Sequence, residues 1–96
     1  MTKIKSDGGS SSYYDIPLPP WLIDVIVERG FVKTEELIEV FFRNDFDYGN
    51  LFKSLVRANQ LEVGGGKEGN SVEYEMNKVI YSAGKIKAIK QRKENV

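Results

Sequence analysis

A chain of 96 residues with 41% hydrophobic side chains is long enough for one globular domain and too short for several. Its 14 basic and 14 acidic residues cancel, which argues against non-specific nucleic-acid binding, because such binding needs a surplus of positive charge. The absence of cysteine and histidine excludes disulfides, thiolate nucleophiles, zinc–thiolate sites and histidine general bases.

Membrane and metal signals are also missing from the sequence. No apolar run approaches the roughly 20 residues that a membrane-spanning helix requires, and the start lacks the apolar block of a signal peptide. We therefore expect a cytoplasmic protein with no membrane partner. No metal-binding motif is identified, and Mg²⁺ is expected only if the protein is an enzyme that processes nucleotides.

The chain begins with a polar segment that is rich in serine, glycine and lysine. Such a segment buries too little apolar surface to offset the entropy that it loses on ordering. Tyr13, Tyr14 and Ile16 at its end are expected either to pack on the domain or to belong to a partner-binding segment. The predicted organisation is a flexible tail, a single helical domain and a flexible end, at residues 1–14, 15–92 and 93–96.

The first predicted helix starts at Pro20, because proline at the first helical position loses no N–H that the helix needs. Its apolar stripe consists of Trp21, Leu22, Val25 and Ile26. We expect Trp21 to lie in the core, since it is in phase with this stripe. Gly30 is the expected C-terminal stop, because glycine adopts the left-handed conformation without strain.

The second predicted helix has Thr34 as its N-cap, with Glu35 and Glu36 in the first turn, where acidic residues suit the helix dipole. Its buried side is predicted to contain Leu37, Ile38, Val40, Phe41 and Phe42.

The third predicted helix runs from Tyr48 to Asn59, with Asp47 as its N-cap. Its core side is predicted to contain Leu51, Phe52, Leu55, Val56 and Ala58. Its polar side is predicted to contain Asn50, Lys53, Ser54 and Arg57. Gly49 costs about 1 kcal/mol of helix propensity, which indicates a close approach by another backbone or a ligand.

Residues 61–76 permit two interpretations. As strand, turn and strand they would form the wing of a winged helix-turn-helix. Helical periodicity instead predicts a fourth helix from about Ser71 to Gln91, with Asn70 and Glu73 as a capping pair. The apolar seam of this helix consists of Val72, Met76, Val79, Ala83 and Ile86. The periodicity favours an all-α domain of about four helices that ends in a helical hairpin, with the winged helix as the alternative.

The third helix carries a polar stripe of Asn50, Lys53 and Arg57 at spacings of three and four residues. In an antiparallel hairpin, Lys53 and Arg57 converge with Lys78 or Lys85 into a cationic cleft. Arginine offers phosphate a planar fork and lysine a point charge, so the cleft favours a nucleotide or another phosphate-bearing ligand. The competing interpretation is that Lys53 and Arg57 pair with acidic residues of the second or fourth helix.

Two short motifs flank residues 64–69, which we call the glycine-rich loop. They are Gly49-Asn50-x-x-Lys53-x-x-x-Arg57 before the loop and Tyr74-Glu75-x-x-Lys78-x-x-x-Tyr81 after it. Together they resemble a family of small, mostly helical phage proteins that are often described as uncharacterised or as nucleotide kinases. The chain departs from the family pattern at Ser54, Met76-Asn77 and Ser82. The resemblance covers residues 47–86 and implies a nucleotide or phosphate site formed by Asn50, Lys53, Arg57, Lys78 and Tyr81.

Three functions therefore remain open. The first is a phage protein that binds nucleotides in the cytoplasm of an infected host cell, as an enzyme or only as a binder. The second is a winged-helix DNA-binding regulator, which the balanced charge makes less favoured. The third is a non-enzymatic phage effector that binds a host protein through the segment from Ile16 to Trp21 or through the basic C-terminal segment. The apolar seam of the fourth helix also suits a homodimer.

Overall fold

The computed structural model describes residues 12–94. These residues form a short 3₁₀ turn and four α-helices, with no strand among them. The elements are Ser12–Tyr14 for the 3₁₀ turn, then α1 (Pro20–Arg29), α2 (Thr34–Phe42), α3 (Phe46–Glu62) and α4 (Val72–Glu94). The prediction of a small all-α fold with about four helices is confirmed. No helix within this part of the chain has the length and apolar character needed to cross a membrane.

The predicted terminal segments fall partly outside the described residues. Residues 1–11 of the expected tail and residues 95–96 of the expected end are not among them, whereas α4 continues to Glu94. The chain divides into two compact units, of which the first ends at Val32 and the second begins at Lys33. The second unit contains α2, α3 and α4, and it carries the predicted site.

In the first unit, α1 begins and ends where the sequence predicts. Pro20 occupies its first turn, and Gly30 terminates it with a φ of 78° and an N–H that donates to the Ile26 carbonyl at 2.7 Å. Leu22 is fully buried, but Trp21 is 41% exposed. The prediction of a core tryptophan is wrong, because Trp21 lies at the edge of the apolar stripe rather than at its centre.

In the second unit, the N-cap of α2 is Lys33, not Thr34, which is already helical. The Lys33 N–H donates to the Glu36 carboxylate at 2.8 Å. Glu36 stands three residues after Lys33, so its carboxylate can reach back to a backbone N–H that the helix leaves without a partner. The prediction of Thr34 as the cap is therefore wrong by one residue.

The N-cap of α3 is likewise earlier than predicted. The helix begins at Phe46, and the Asp45 carboxylate accepts a hydrogen bond from the Tyr48 N–H at 2.8 Å. Asp47, the predicted cap, lies in the first turn and forms a salt bridge of 3.0 Å with Lys85 of α4. The first carboxylate of the Asp-x-Asp sequence thus caps α3, which leaves the second free to join α3 to α4.

Aromatic side chains pack α2 against α3. The Phe42 ring stacks on Tyr48 with a centroid separation of 5.9 Å and lies 5.4 Å from the Phe52 ring. Gly49 is buried in the same contact, and a Cβ placed on it would lie 3.1 Å from Ile38 Cγ2. The close approach at Gly49 is therefore made by a side chain of α2 and not by another backbone, which is one of the two approaches that the sequence predicts.

The helices α3 and α4 pack along each other as an antiparallel hairpin. Ser54 and Ala58 are buried on the same side of α3 as Asp47, which contacts α4. Leu55, expected in the core, is 42% exposed, and Ser54, expected on the polar side, is only 3% exposed. Both predictions are wrong because small side chains let two helices approach closely, and the contact side of α3 is centred on them.

Residues 61–76 complete α3, turn through the glycine-rich loop and begin α4. The wing of a winged helix-turn-helix is therefore not part of this fold. The loop starts with a tight turn in which the Gly65 N–H donates to the Gln60 carbonyl at 2.8 Å. α3 extends to Glu62 instead of Asn59, and Gln60 of this extra turn lines the candidate site described below.

Two helical glycines provide a matched test of this packing. A Cβ at Gly84 in α4 meets nothing within 4 Å, whereas one at Gly49 meets Ile38. We expect Gly84→Ala to raise the free energy of unfolding by about 1 kcal/mol, through helix propensity alone. Gly49→Ala gains the same propensity but crowds a buried side chain, so it should be less stable than Gly84→Ala by about 1 kcal/mol. Urea unfolding measures both values, and equal gains would contradict the close contact between α2 and α3.

Candidate functional site

A cleft of about 810 Å³ lies between the C-terminal half of α3, the glycine-rich loop and the first turns of α4. We call it the loop cleft. Its charged lining residues are Arg57, Lys67, Lys78, Glu68 and Glu75. The three cations and two carboxylates leave one positive charge in excess, so the cleft is cationic but contains strong hydrogen-bond acceptors as well.

Glu75 is the buried carboxylate of the loop cleft. Its side chain is 1% exposed, and the Asn70 Nδ2 donates to its Oε2 at 2.8 Å. Its Oε1 has no hydrogen-bond partner among the described residues. Burying an ionised carboxylate costs several kcal/mol unless its oxygens are paired, so this acceptor is an unusual feature of a packed helix.

Asn70 and Ser71 position this carboxylate through the cap of α4. The Asn70 Oδ1 accepts from the Ser71 N–H at 2.8 Å, and the Ser71 Oγ accepts from the Tyr74 N–H at 3.1 Å. Asn70 therefore shapes the start of α4 with its oxygen and holds Glu75 with its nitrogen. The predicted capping pair of Asn70 and Glu73 is wrong, because Ser71 provides the cap and Glu75 takes the Asn70 amide.

The loop has one position that only glycine can occupy without displacing its neighbours. Gly66 has a φ of 91°, and a Cβ on it would lie 2.7 Å from Leu61 Cδ2. The turn brings the chain back over the end of α3, and the Lys67 carbonyl then accepts from the Asn70 N–H at 3.2 Å. Lys67 and Asn70 thereby line the same cleft, Lys67 as an exposed side chain and Asn70 as a half-buried one.

An aromatic ring and a cation form one wall of the loop cleft. Tyr74 is half exposed, and the Lys78 Nζ lies 4.6 Å from its ring centroid. This cation–π contact holds the ammonium group over one face of the half-exposed ring. A flat aromatic ligand and an anionic group are therefore both matched by neighbouring side chains of α4.

A second cleft of about 350 Å³ lies at the start of α2, and we call it the α2 cleft. Its lining residues are Lys33, Thr34, Glu35, Lys53, Val56 and Arg57. Val56 and Arg57 line both clefts, so the Arg57 side chain stands between them. The polar stripe of α3 thus serves two separate clefts.

The structure brings some of the predicted site residues together and separates others. Arg57 and Lys78 line the loop cleft, whereas Lys53 lines the α2 cleft beside Arg57. Asn50 is half-buried, Tyr81 is 71% exposed, and neither lines one of these two clefts. The five residues therefore do not form one continuous pocket.

The cations differ in their partners. Lys85, one of the two lysines expected at the cleft, pairs with Asp47 and lies 5.3 Å from the Phe46 ring centroid. Within residues 12–94, neither Lys53 nor Arg57 forms a salt bridge with a carboxylate. The internal ion pairs that the sequence allowed for these two side chains are thus not formed.

Sequence reasoning missed the residues that surround the cations, namely Gln60, Lys67, Asn70, Tyr74 and Glu75. A signal for Glu75 was present in the sequence. It stands three residues after Val72 and four before Val79, which places a carboxylate in phase with the apolar seam. An acidic residue at such a position is a candidate for function or for a buried polar contact.

A metal site within residues 12–94 would require side chains that are grouped as metal ligands. Across the described range, no group of three or more acidic side chains is arranged to hold a metal ion. We therefore assign no metal ligand.

No protein-family model matches the chain, and the comparisons with curated proteins and with solved structures find no significant similarity. The resemblance to small phage proteins consequently stays a prediction. The function has to be argued from the residues of the clefts.

The bond between Asn70 and Glu75 can be tested through stability. Asn70→Ala leaves a buried carboxylate without its donor, so we expect the free energy of unfolding to fall by about 2–3 kcal/mol. In a Glu75→Met background the same substitution removes only the contribution of Asn70 to the start of α4, about 1 kcal/mol. Urea unfolding of the four proteins gives both differences. Equal losses in the two backgrounds would show that the bond contributes nothing.

Proposed function

We propose that the protein binds a nucleotide, or a closely related phosphate-bearing molecule with an aromatic group, in the loop cleft. The observation that carries this proposal is the convergence of Arg57 and Lys78 on one cleft that the half-exposed ring of Tyr74 also lines. A nucleotide combines the two chemical groups that these side chains recognise, an anionic phosphate and a flat aromatic base.

The phosphate is assigned to the cations. Arg57 is not engaged in a salt bridge within residues 12–94, so its guanidinium can offer a bidentate pair of donors to phosphate oxygens. Lys78 and Lys67 add point charges from α4 and from the loop. The start of α4 also lines the cleft, and the N-terminal end of a helix favours negative charge.

The base is assigned to Tyr74. Stacking of a base on an aromatic side chain contributes about 1–3 kcal/mol and does not depend strongly on the identity of the base. The cleft volume of about 810 Å³ also falls within the range of about 300–1,000 Å³ that is usual for small-molecule sites. The volume, the charge and the aromatic side chain of the loop cleft are therefore all consistent with a nucleotide ligand.

The proposal concerns binding, and it uses part of the site that the family resemblance implies. Arg57 and Lys78 are retained as ligand residues, and Lys67 and Tyr74 are added because they line the same cleft. Lys53 is assigned to the α2 cleft. A phage origin agrees with the resemblance, and no catalytic role is assigned to any side chain.

Isothermal titration with nucleoside mono- and triphosphates tests this proposal. Wild-type protein should bind at least one of them, and Arg57→Ala and Lys78→Ala should each weaken that binding roughly 10-fold to 100-fold, because each removes a charged hydrogen bond. Lys53→Ala should bind almost as well as wild type, since Lys53 lines the other cleft. Lys87→Ala is the matched control, an exposed α4 lysine that lines neither cleft.

The pattern across the variants separates the outcomes. No binding of any nucleotide by the wild type would overturn the proposal. Binding that depends on Lys53 and not on Lys78 would place the ligand in the α2 cleft and would also overturn it. Equal weakening in all four variants, including Lys87→Ala, would indicate general electrostatic attraction rather than a site.

A second candidate function is protein binding by the segment from Ile16 to Trp21. Ile16, Leu18 and Trp21 are exposed although they are large and apolar, and Tyr13 and Tyr14 just before them are exposed too. Apolar side chains that cluster on a surface mark interaction sites. The prolines between them also restrict the backbone before any partner binds, which lowers the entropy lost on binding.

A pull-down from host-cell lysate with a matched set of baits tests this second function. Wild type and Arg57→Ala should retain the same stoichiometric partner, and the double variant Ile16→Asp/Leu18→Asp should lose it, because a charge in an apolar contact opposes binding. A partner that the double variant retains, or no stoichiometric partner at all, would contradict the assignment to this segment.

A further inference from the structure

The loop cleft contains an acceptor that the binding of phosphate does not explain. Glu75 is 1% exposed and lines the cleft, and its Oε1 has no partner in the part of the chain that the structure describes. A phosphate group cannot satisfy this oxygen, since both are negatively charged acceptors. A hydrogen-bond donor on another part of the ligand would satisfy this oxygen.

The cations of the cleft leave this acceptor open. Arg57 and Lys78 line the same cleft as Glu75, yet neither forms a salt bridge with it. Lys78 lies over the Tyr74 ring instead, with its Nζ 4.6 Å from the ring centroid. Within residues 12–94, the carboxylate accepts from the Asn70 side chain on Oε2, and its Oε1 is buried without a partner.

The one Glu75 oxygen without a partner limits which donor group of a nucleotide matches this carboxylate. A ribose diol or the Watson–Crick edge of guanine presents two neighbouring donors, which match both oxygens of a carboxylate. Because Glu75 Oε2 already accepts from the Asn70 amide, a single amino N–H that donates to Oε1 gives both oxygens a partner. Cytosine and adenine have such an amino group, and a carboxylate accepts well from it.

On the basis of the proposed nucleotide binding, we propose that Glu75 reads the exocyclic amino group of the base, so that the loop cleft selects cytosine and adenine nucleotides over uracil and hypoxanthine nucleotides. Uracil and hypoxanthine have a carbonyl where cytosine and adenine have the amino group. A carbonyl oxygen facing Glu75 Oε1 would place two acceptors together, and the ring N–H beside that carbonyl can donate to Glu75 only with the carbonyl oxygen held against the carboxylate.

Titration of the wild-type protein with two matched pairs of ligands tests this selection without any substitution. CMP should bind at least roughly tenfold more tightly than UMP, and the affinity for AMP should exceed that for IMP by a similar factor. In each pair the second ligand lacks the hydrogen bond to the charged Glu75. The deoxy form, dCMP, should bind like CMP, since the ribose hydroxyls are not the groups that Glu75 accepts from.

Glu75→Gln is the matched variant, because it keeps the shape of the side chain and replaces one oxygen with an amide nitrogen. The Gln carbonyl can take the Asn70 donor, which leaves an N–H facing the ligand. We expect the variant to lose the preference for CMP over UMP or to reverse it. Urea unfolding of the variant checks that it is folded during the titration.

The remaining outcomes separate the two proposals. No binding of any of the four ribonucleotides overturns this inference, and the proposed function falls with it only if the nucleoside triphosphates do not bind either. Equal binding within each pair overturns the inference and leaves nucleotide binding in place. If dCMP binds more weakly than CMP while CMP and UMP bind with equal affinity, Glu75 accepts from the ribose and base selection is overturned. A folded Glu75→Gln that keeps the wild-type ratio shows that another group reads the base.

Discussion

The buried pair of Asn70 and Glu75 joins the glycine-rich loop to α4 and lines the loop cleft, so the arrangement of the candidate site depends on it. One side chain, Asn70, shapes the entry of the helix and holds the carboxylate at 2.8 Å. A position with only a structural role is better filled by an apolar residue of similar size, as it is at Val72 and Val79 in the same seam. A carboxylate with one unsatisfied oxygen stabilises the hairpin less than such a residue would. Its presence therefore points to a role outside packing.

The opposite end of the hairpin is fixed by different chemistry. Asp47 pairs with Lys85 at 3.0 Å, and the aromatic rings around Phe42 pack α2 against the same stretch of α3. The Asp47–Lys85 salt bridge thus joins α3 to α4 at this end, and the small buried side chains of Ser54 and Ala58 allow close contact further along the hairpin. Arg57 and Lys78 project from these fixed helices rather than from the loop. Binding groups on rigid elements lose little entropy when a ligand orders them.

The sequence predicted the four helices because their apolar periodicity is strong, but it did not predict the contact side of α3. Hydropathy assigns Leu55 to the core and Ser54 to solvent, whereas the close packing of two helices selects the smaller side chain. The polar stripe correctly placed Lys53 and Arg57 on one face. The stripe serves two clefts because the glycine-rich loop borders one of them and the start of α2 borders the other. A sequence pattern within one helix carries no information on where these other segments lie. Glu75 was detectable in principle, since its phase is that of the seam.

The mixture of charges restricts what the loop cleft can hold. With three cations and two carboxylates, it has a net attraction of one charge for an anion. Inorganic phosphate would use the cations, but any O–H that it donates to Glu75 brings its negative charge against the carboxylate. A purely cationic ligand would satisfy Glu75 while facing Arg57 and Lys78. A ligand that carries an anionic group at one end and a neutral hydrogen-bond donor on a flat ring at the other satisfies both sets of side chains. The arrangement of charges therefore argues for an asymmetric ligand such as a nucleotide over either simple ion.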